Sequence, residues 1–157
     1  MNHCGTCTAC CRVFAITELE KPAGKWCQHC DVGVGCQVYD TRPSTCVEFK
    51  CLWLLSKDAE PQHHLPDALR PDRCKVVFSP STNEDIYVAT TLHGYPLAWR
   101  KHAVHSFIRW LVKKGKRVSV GPAAATDLIL ISATGETPVK MSVPDETGMQ
   151  WRIDGGP

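Results

Sequence analysis

Nine of the ten cysteines in this chain fall between Cys4 and Cys51, and that crowding limits what the first third can fold into. The densest part reads Cys4-Gly-Thr-Cys7-Thr-Ala-Cys10-Cys11, a C-x2-C-x2-C-C run. Thiols at such spacing serve metal ions, iron–sulfur clusters or disulfides. The expected compartment chooses among the three. A secretory signal needs a basic start and an apolar stretch of roughly 7–15 residues, and Met-Asn-His-Cys leaves room for neither. Apolar stretches such as Leu128–Ile131 are far shorter than the roughly 20 residues of a membrane span. The expectation is a cytoplasmic protein without a membrane partner, in a reducing environment where structural disulfides rarely persist. Metal ligation is the use that remains.

An apolar content of 43% is ordinary for a globular chain and allows one modest core. The formal charge of +2 counts thiols as neutral. Eight thiolates around two divalent ions would add a net four negative charges and carry it to about −2. Nothing in the overall charge calls for a nucleic-acid partner.

Composition changes near residue 57. Residues 1–57 read as a cysteine-cluster metal-binding module, 58–72 as a proline-rich connection with Pro61, Pro66 and Pro71, and 73–157 as an α+β region packed on the module. In the module, Thr17-Glu-Leu-Glu20 has the form of a capping box. Pro43 at the head of Ser44–Leu55 predicts a helix with proline in its first turn. Along a regular helix, Cys46 and Cys51 would lie about 140° apart and could not share an ion without a break. In the second region, strands are expected at Lys75–Phe78, Ile86–Thr91, Arg117–Val120, Leu128–Ser132, Val139–Val143 and Gln150–Ile153. A long helix is expected over Pro96–Lys114, with Val104, Phe107, Ile108 and Leu111 on its apolar stripe. The expected fold class is α+β: a metal-stapled cysteine module followed by a small antiparallel sheet with one long helix.

Each C-x2-C places two sulfurs around a tight turn, within reach of one ion about 2.3 Å away. The C-x2-C-x2-C run also reproduces the first three ligands of a bacterial ferredoxin cluster. Adjacent side chains leave the backbone in different directions, so Cys10 and Cys11 are expected to serve two centres, or one to ligate while the other packs. Cys27-Gln-His-Cys30 is a second C-x2-C, followed by Cys36 and Cys46. Cys4, Cys7, Cys10, Cys11, Cys27, Cys30, Cys36 and Cys46 match two tetrahedral sites in number, and they are the candidate metal ligands. Arg42 can offset thiolate charge by donating to sulfur, or can pair with Glu20 or Asp40. Tyr39 is expected to cover the site from water.

The Cys4–Cys11 run, a later Cys27 or Cys30, and Cys36-Gln-Val-Tyr39-Asp-Thr-Arg42-Pro43-Ser-Thr-Cys46-Val-Glu-Phe49 together resemble the CxxCxxCC cysteine-cluster proteins. These are bacterial proteins described as zinc- or iron-chelating domains. The resemblance covers residues 4 to about 53, roughly a third of the chain. It implies metal binding with the metal left open, and it places Glu20 where an acid follows a threonine, as an iron ligand or a helix cap. Flagellin lysine methylases share a similar cysteine motif with an iron–sulfur cluster, which implies an enzymatic alternative. One of Cys27 and Cys30 is additional to the motif, and Cys51 and Cys74 fall outside it.

His29 and His3 are placed below the thiols as ligands, His63-His64 as solvated, and His102 and His105 as a surface stripe. The basic stretch Arg100, Lys101, Arg109, Lys113, Lys114, Lys116 and Arg117 reads as a solvated helix face in preference to a nucleic-acid site. No catalytic motif is present beyond the cysteine cluster. Three readings follow. The first is a metal-binding protein that holds zinc, or iron, in a structural or metal-handling role. The second is an iron–sulfur enzyme or electron-transfer protein with a [4Fe–4S] cluster on Cys4, Cys7, Cys10 and one of Cys11, Cys36 or Cys46. The third is a zinc module that binds nucleic acid through residues 100–117.

Overall fold

A computed structural model describes residues 3–81 and 85–141 and the backbone of 151–153. The expected tail at 154–157, the end of the fifth expected strand at 142–143 and the start of the sixth at Gln150 lie outside them.

The second region is built on a six-stranded sheet of β3 (Val76–Pro80), β4 (Ile86–Thr91), β5 (Arg117–Pro122), β6 (Asp127–Ser132), β7 (Gly135–Met141) and β8 (Trp151–Ile153), hydrogen-bonded in that order. All six expected strands form, with ends shifted by a few residues. The sheet is not wholly antiparallel, however. β4 and β5 pair in parallel, Ile86 opposite Arg117 and Ala89 opposite Val120, while the other neighbours are antiparallel. The cause is the connection between them. It carries helix α5 (His102–Lys113) over one face of the sheet and returns the chain in its original direction, which a hairpin cannot do.

Successive strand residues point to opposite faces. Val76 and Phe78 of β3, Ala89 of β4, Val118 and Val120 of β5 and Ile131 of β6 form one core with Val104, Ile108 and Leu111 of α5. Phe107 meets Phe78 edge-on, ring centres 5.0 Å apart. The expected apolar stripe is therefore the buried one. The helix begins later than expected, because Ala98–Arg100 makes a 3-10 turn that buries Trp99 in the same core and Lys101 is extended. It ends in a Schellman arrangement: Gly115 takes φ 78°, and the amides of Gly115 and Lys116 bond the carbonyls of Val112 and Leu111.

The cysteine-rich region packs on the other face. Val77, between Val76 and Phe78 in sequence, joins Leu92, Cys7, Ala9 and Val13 in a second core flanked by Phe14, Phe49 and Cys51. Helix α1 (Ala9–Val13) thus lies across the sheet from α5. The 58–72 connection is not simply extended. It contains 3-10 turns at Pro61–His63 and Asp67–Leu69, buries Leu69 in the α5-side core and leads into α4 (Pro71–Cys74).

Two expected local elements differ. Thr17–Leu19 forms one 3-10 turn with no side-chain cap, and Glu20 takes a left-handed φ of 50°. Ile16 and Lys21 exchange backbone hydrogen bonds (2.9 and 3.1 Å), which closes the segment as a loop and leaves no helix for a capping box to start. The predicted 44–55 helix is broken into α2 (Ser44–Glu48) and α3 (Leu52–Ser56). Phe49 is extended (φ −76°, ψ 122°), and its ring packs 4.5 Å from that of Phe14. Burial of that ring against the second core competes with continuing the helix.

Candidate metal centre

The first C-x2-C is a turn in which the Cys7 amide donates to the Cys4 carbonyl at 3.1 Å, with Gly5 at φ 55°. The positive φ suits glycine, which has no Cβ to clash there. The second has the same form, the Cys30 amide donating to the Cys27 carbonyl at 3.1 Å. The Cys27 amide bonds the Cys11 carbonyl at 3.0 Å, which docks the second turn on α1. Next, β1 (Cys30–Asp31) and β2 (Gly35–Cys36) form a short hairpin with Cys30 directly opposite Cys36. Its loop is pinned where the Gly33 amide donates to Thr8 Oγ1 at 3.2 Å.

These segments and α2 enclose a cleft of about 550 Å³. Seven of the eight candidate ligands line it: Cys4, Cys7, Cys10, Cys11, Cys27, Cys36 and Cys46. The eighth, Cys30, is outside the lining but hydrogen-bonds to Cys11. Cys51 also lines the cleft, whereas Cys74 does not. The Cys74 thiol is buried and donates to the carbonyls of Val76 (3.1 Å) and Leu69 (3.5 Å).

The sulfurs of Cys10 and Cys11 meet instead of pointing apart. Cys10 hydrogen-bonds to both Cys4 and Cys11, making a chain Cys4–Cys10–Cys11–Cys30. The bond from Cys10 is the main reason that Cys11 is drawn down to about 6, with Cys30 and Lys21 helping against burial. The same neighbour draws Cys4 down to about 7, assisted by Arg42. Cys10 itself rises well above its usual value, first through its hydrogen bonding with Cys11 and Cys4 and then through burial. Burial raises Cys30 to about 12, and the charge of Cys11 adds to this. Cys7 and Cys46 are also raised, first by burial.

Lys21 is buried, 7% exposed. Its ammonium group donates to the main-chain carbonyls of Phe14, Pro22 (3.2 Å) and Arg12 (3.4 Å). Burial lowers its pKa, opposed by the neighbouring sulfurs of Cys27, Cys11, Cys46 and Cys10. A buried cation is costly unless it is hydrogen-bonded and charge-compensated, and thiolates are the anions at hand. No local sequence pattern marks Lys21; the reverse turn at 17–20 brings it back beneath α1.

Arg42 neither pairs with Glu20 or Asp40 nor donates to a sulfur. It bonds the carbonyls of Tyr39 (2.5 Å) and Cys46 (3.4 Å), and its guanidinium lies 3.8 Å from the Tyr39 ring centre. It thereby ties the segment after Cys36 to the helix carrying Cys46, and its charge reaches Cys4. Tyr39 lines the cleft between Arg42 and His3, whose ring is 4.6 Å away. Glu20 does not line the cleft. The acid that reaches α2 is Glu18, also outside the cleft lining, which accepts from Ser44 Oγ (2.8 Å) and from the amide and hydroxyl of Thr45 at the start of the helix.

His29 lines the cleft, with Nε2 3.3 Å from the amide nitrogen of Gln28. His64 Nε2 is 3.0 Å from the Ala59 carbonyl, and His63 and His102 are exposed. The basic stretch lies on α5 and its flanks, across the sheet from the cleft. Within it, Arg100 pairs with Glu136 (2.8 Å) and Lys116 with Asp85 (3.5 Å).

Thiols are the donors that zinc and iron–sulfur clusters take, so the chemistry of this set fits either. Among the described residues, no three His, Cys, Asp or Glu side chains stand as a ready-made metal cage. Nor is any helix among them long and apolar enough to cross a membrane. Compared with protein-family models, curated proteins and solved structures, the chain matches none of them.

Proposed function

We propose that the protein binds metal through the cysteines of this cleft, with zinc as the ion, in a structural or metal-handling role. The observation that carries the reading is the convergence of thiols from the N-terminal run, the second C-x2-C, the β1–β2 hairpin and α2 on one cleft backed by the buried Lys21 ammonium. Cys4, Cys7, Cys10, Cys11, Cys27, Cys30, Cys36 and Cys46 are the proposed donors, all but Cys30 lining the cleft. Zinc suits them because four thiolates close its tetrahedron without an external ligand. Each thiolate group of four leaves a net charge near −2 on the ion, which the ammonium of Lys21 and the guanidinium of Arg42 offset from two sides. Binding displaces protons from the thiols that stay protonated in the free protein, so affinity rises with pH.

The test is metal analysis and a visible spectrum on protein purified anaerobically. Colourless protein with stoichiometric zinc supports the proposal. Brown protein with equal iron and acid-labile sulfide replaces it with the iron–sulfur alternative. Affinity for RNA or DNA that falls steeply with salt, and is lost on neutralising Lys113, Lys114, Lys116 and Arg117, would instead favour a zinc module that binds nucleic acid through residues 100–117.

A further inference from the structure

We infer that Cys30 and Cys36 are a redox pair, closed into a cross-strand disulfide by an oxidising thiol pool and reopened by a reducing one. The pairing stands on the register of β1 with β2; only its consequence for metal rests on the reading proposed above.

Opposite residues in an antiparallel ladder either exchange two main-chain hydrogen bonds or lie between such exchanges. The second kind stand closer, with Cα atoms about 4.5 Å apart. Cys30 and Cys36 are directly opposite each other. The Gln37 amide donates to the His29 carbonyl at 2.9 Å, just outside the pair, and the Cys30 amide is taken by the Cys27 carbonyl. Cys30 and Cys36 are therefore a pair of the close kind. Their side chains leave the same face of the ribbon, and a disulfide spans Cα separations of about 4.4–6.8 Å. The main chain already has the spacing that the bridge requires.

The residues between them hold that register. Gly33 takes φ 80° and Gly35 φ 149°, and a Cβ on Gly35 would stand 3.4 Å from the Gly5 carbonyl oxygen. A slip of one residue would put the two thiols on opposite faces, and the bond from the Gly33 amide to Thr8 Oγ1 opposes it. Both thiols are free and half-buried. Cys27, which shares a C-x2-C turn with Cys30, is buried and harder for an oxidant to reach.

The oxidant is a low-molecular-weight disulfide of the glutathione class. One thiolate of the pair attacks a sulfur of that disulfide and expels the first reduced thiol. The other then attacks the mixed disulfide, forms the Cys30–Cys36 bond and expels the second. The two cysteine protons pass to the two expelled thiols. The cysteine pair gives up two electrons, and the small disulfide takes them. Thiolate is the form that binds metal, so closing the bridge removes two of the proposed donors, and bound metal protects the pair.

The experiment equilibrates the full chain, chelated under argon, with mixtures of reduced and oxidised glutathione, then counts free thiols and maps the links by mass spectrometry. Cutting after Lys25 and before Asp31 and Asp40 puts Cys30 on one peptide, with Cys27, and Cys36 on another; fragmentation between Cys27 and Cys30 identifies the partner. The first oxidation should remove two of the ten free thiols and join Cys30 to Cys36. Cys27→Ser should keep that step, and Cys36→Ser should lose it. The wild-type map decides even where a variant misfolds. A first link between Cys27 and Cys30 or between Cys11 and Cys30, the same mixture of links in urea as in native buffer, or no loss of thiols overturns the inference. Zinc-loaded protein should keep the thiols that metal-free protein loses; equal oxidation of the two would overturn the exclusion of metal by the bridge. A chain that takes up no zinc defeats the metal-binding reading and leaves the mapped link as it is.

Discussion

Glu18 accepts both the amide (3.0 Å) and the hydroxyl (2.8 and 2.9 Å) of Thr45, so an exposed acid in one loop caps the helix that carries Cys46. The amide of Thr45 is one of the unpaired donors of the first turn of α2, and a carboxylate there is favoured by both hydrogen bonding and the helix dipole. These bonds, the Thr45 amide first, hold the Glu18 carboxyl down at about 2. A carboxyl whose pKa is lower in the folded chain stabilises it above the unfolded value and loses that contribution as pH falls through the folded one. Glu18→Gln should therefore lower the urea midpoint throughout the range above about 4.5, and the deficit should shrink toward zero as pH approaches about 2. Equal midpoints for the variant and the wild type near neutrality would show that the cap does not hold α2.

The thiol chain makes a prediction about reactivity. Only the thiolate is nucleophilic, so in metal-free protein Cys11 should alkylate with a pH midpoint near 6 and Cys4 near 7. Cys51 and Cys74, raised to about 11 by burial, should stay unmodified through neutrality. Iodoacetamide labelling followed by peptide mapping across pH reads this directly. The same shifts bear on stability. Because Cys4 and Cys11 lie below the usual 9.0, they stabilise the fold fully above pH 9 and lose that contribution as pH falls through 7 and 6. Uniform labelling of all ten thiols at neutral pH would contradict the arrangement.

Lys21 lets the charge of the cluster be tested without touching a cysteine. In Lys21→Met the carbonyls of Arg12, Phe14 and Pro22 lose their donor, which should cost about 1–3 kcal/mol of stability. The missing counter-charge beside Cys11, Cys27 and Cys46 should also weaken zinc binding about tenfold, the factor that about 1.4 kcal/mol represents. Competition with a chromophoric chelator measures it. A destabilised K21M chain with wild-type zinc affinity would make Lys21 a packing element alone.

What could be read from the residue pattern follows from the range of the interactions involved. The strands and the apolar stripe of α5 were legible because alternation and 3.6-residue periodicity are local records of burial. The cysteine cluster was legible because turn geometry ties spacing to reach. The parallel pairing of β4 with β5 was missed although the helix between them was placed, since strand direction depends on where the connection returns. Glu18 and Lys21 were missed for a related reason. The capping-box pattern pointed to Glu20, but Ile16 pairs with Lys21 and reverses the chain there, which presents Glu18 to a helix 27 residues on and turns Lys21 beneath α1. The break at Phe49 has no local signal, because it answers to the Phe14 ring and the face of the sheet.

Cys74 separates thiol packing from thiol chemistry. It is 4% exposed, sits in the core with Val76, Leu69 and Trp99, and its S–H bonds two main-chain carbonyls. Free cysteine behaves in such a place as a small apolar residue with a weak donor. Cys74→Ala should therefore destabilise the fold by roughly 1–2 kcal/mol, from the lost sulfur contacts and the weakened bonds to Val76 and Leu69. Metal content should not change, because the residue faces away from the cleft. Cys46→Ser should do the reverse: its half-exposed side chain contributes little packing, yet its loss should remove metal from the set shared with Cys11, Cys27 and Cys36. Denaturant midpoints and metal content measured on the same two preparations test the contrast. If Cys74→Ala released metal while Cys46→Ser retained it, the donors would have to be sought on the α5 side of the sheet.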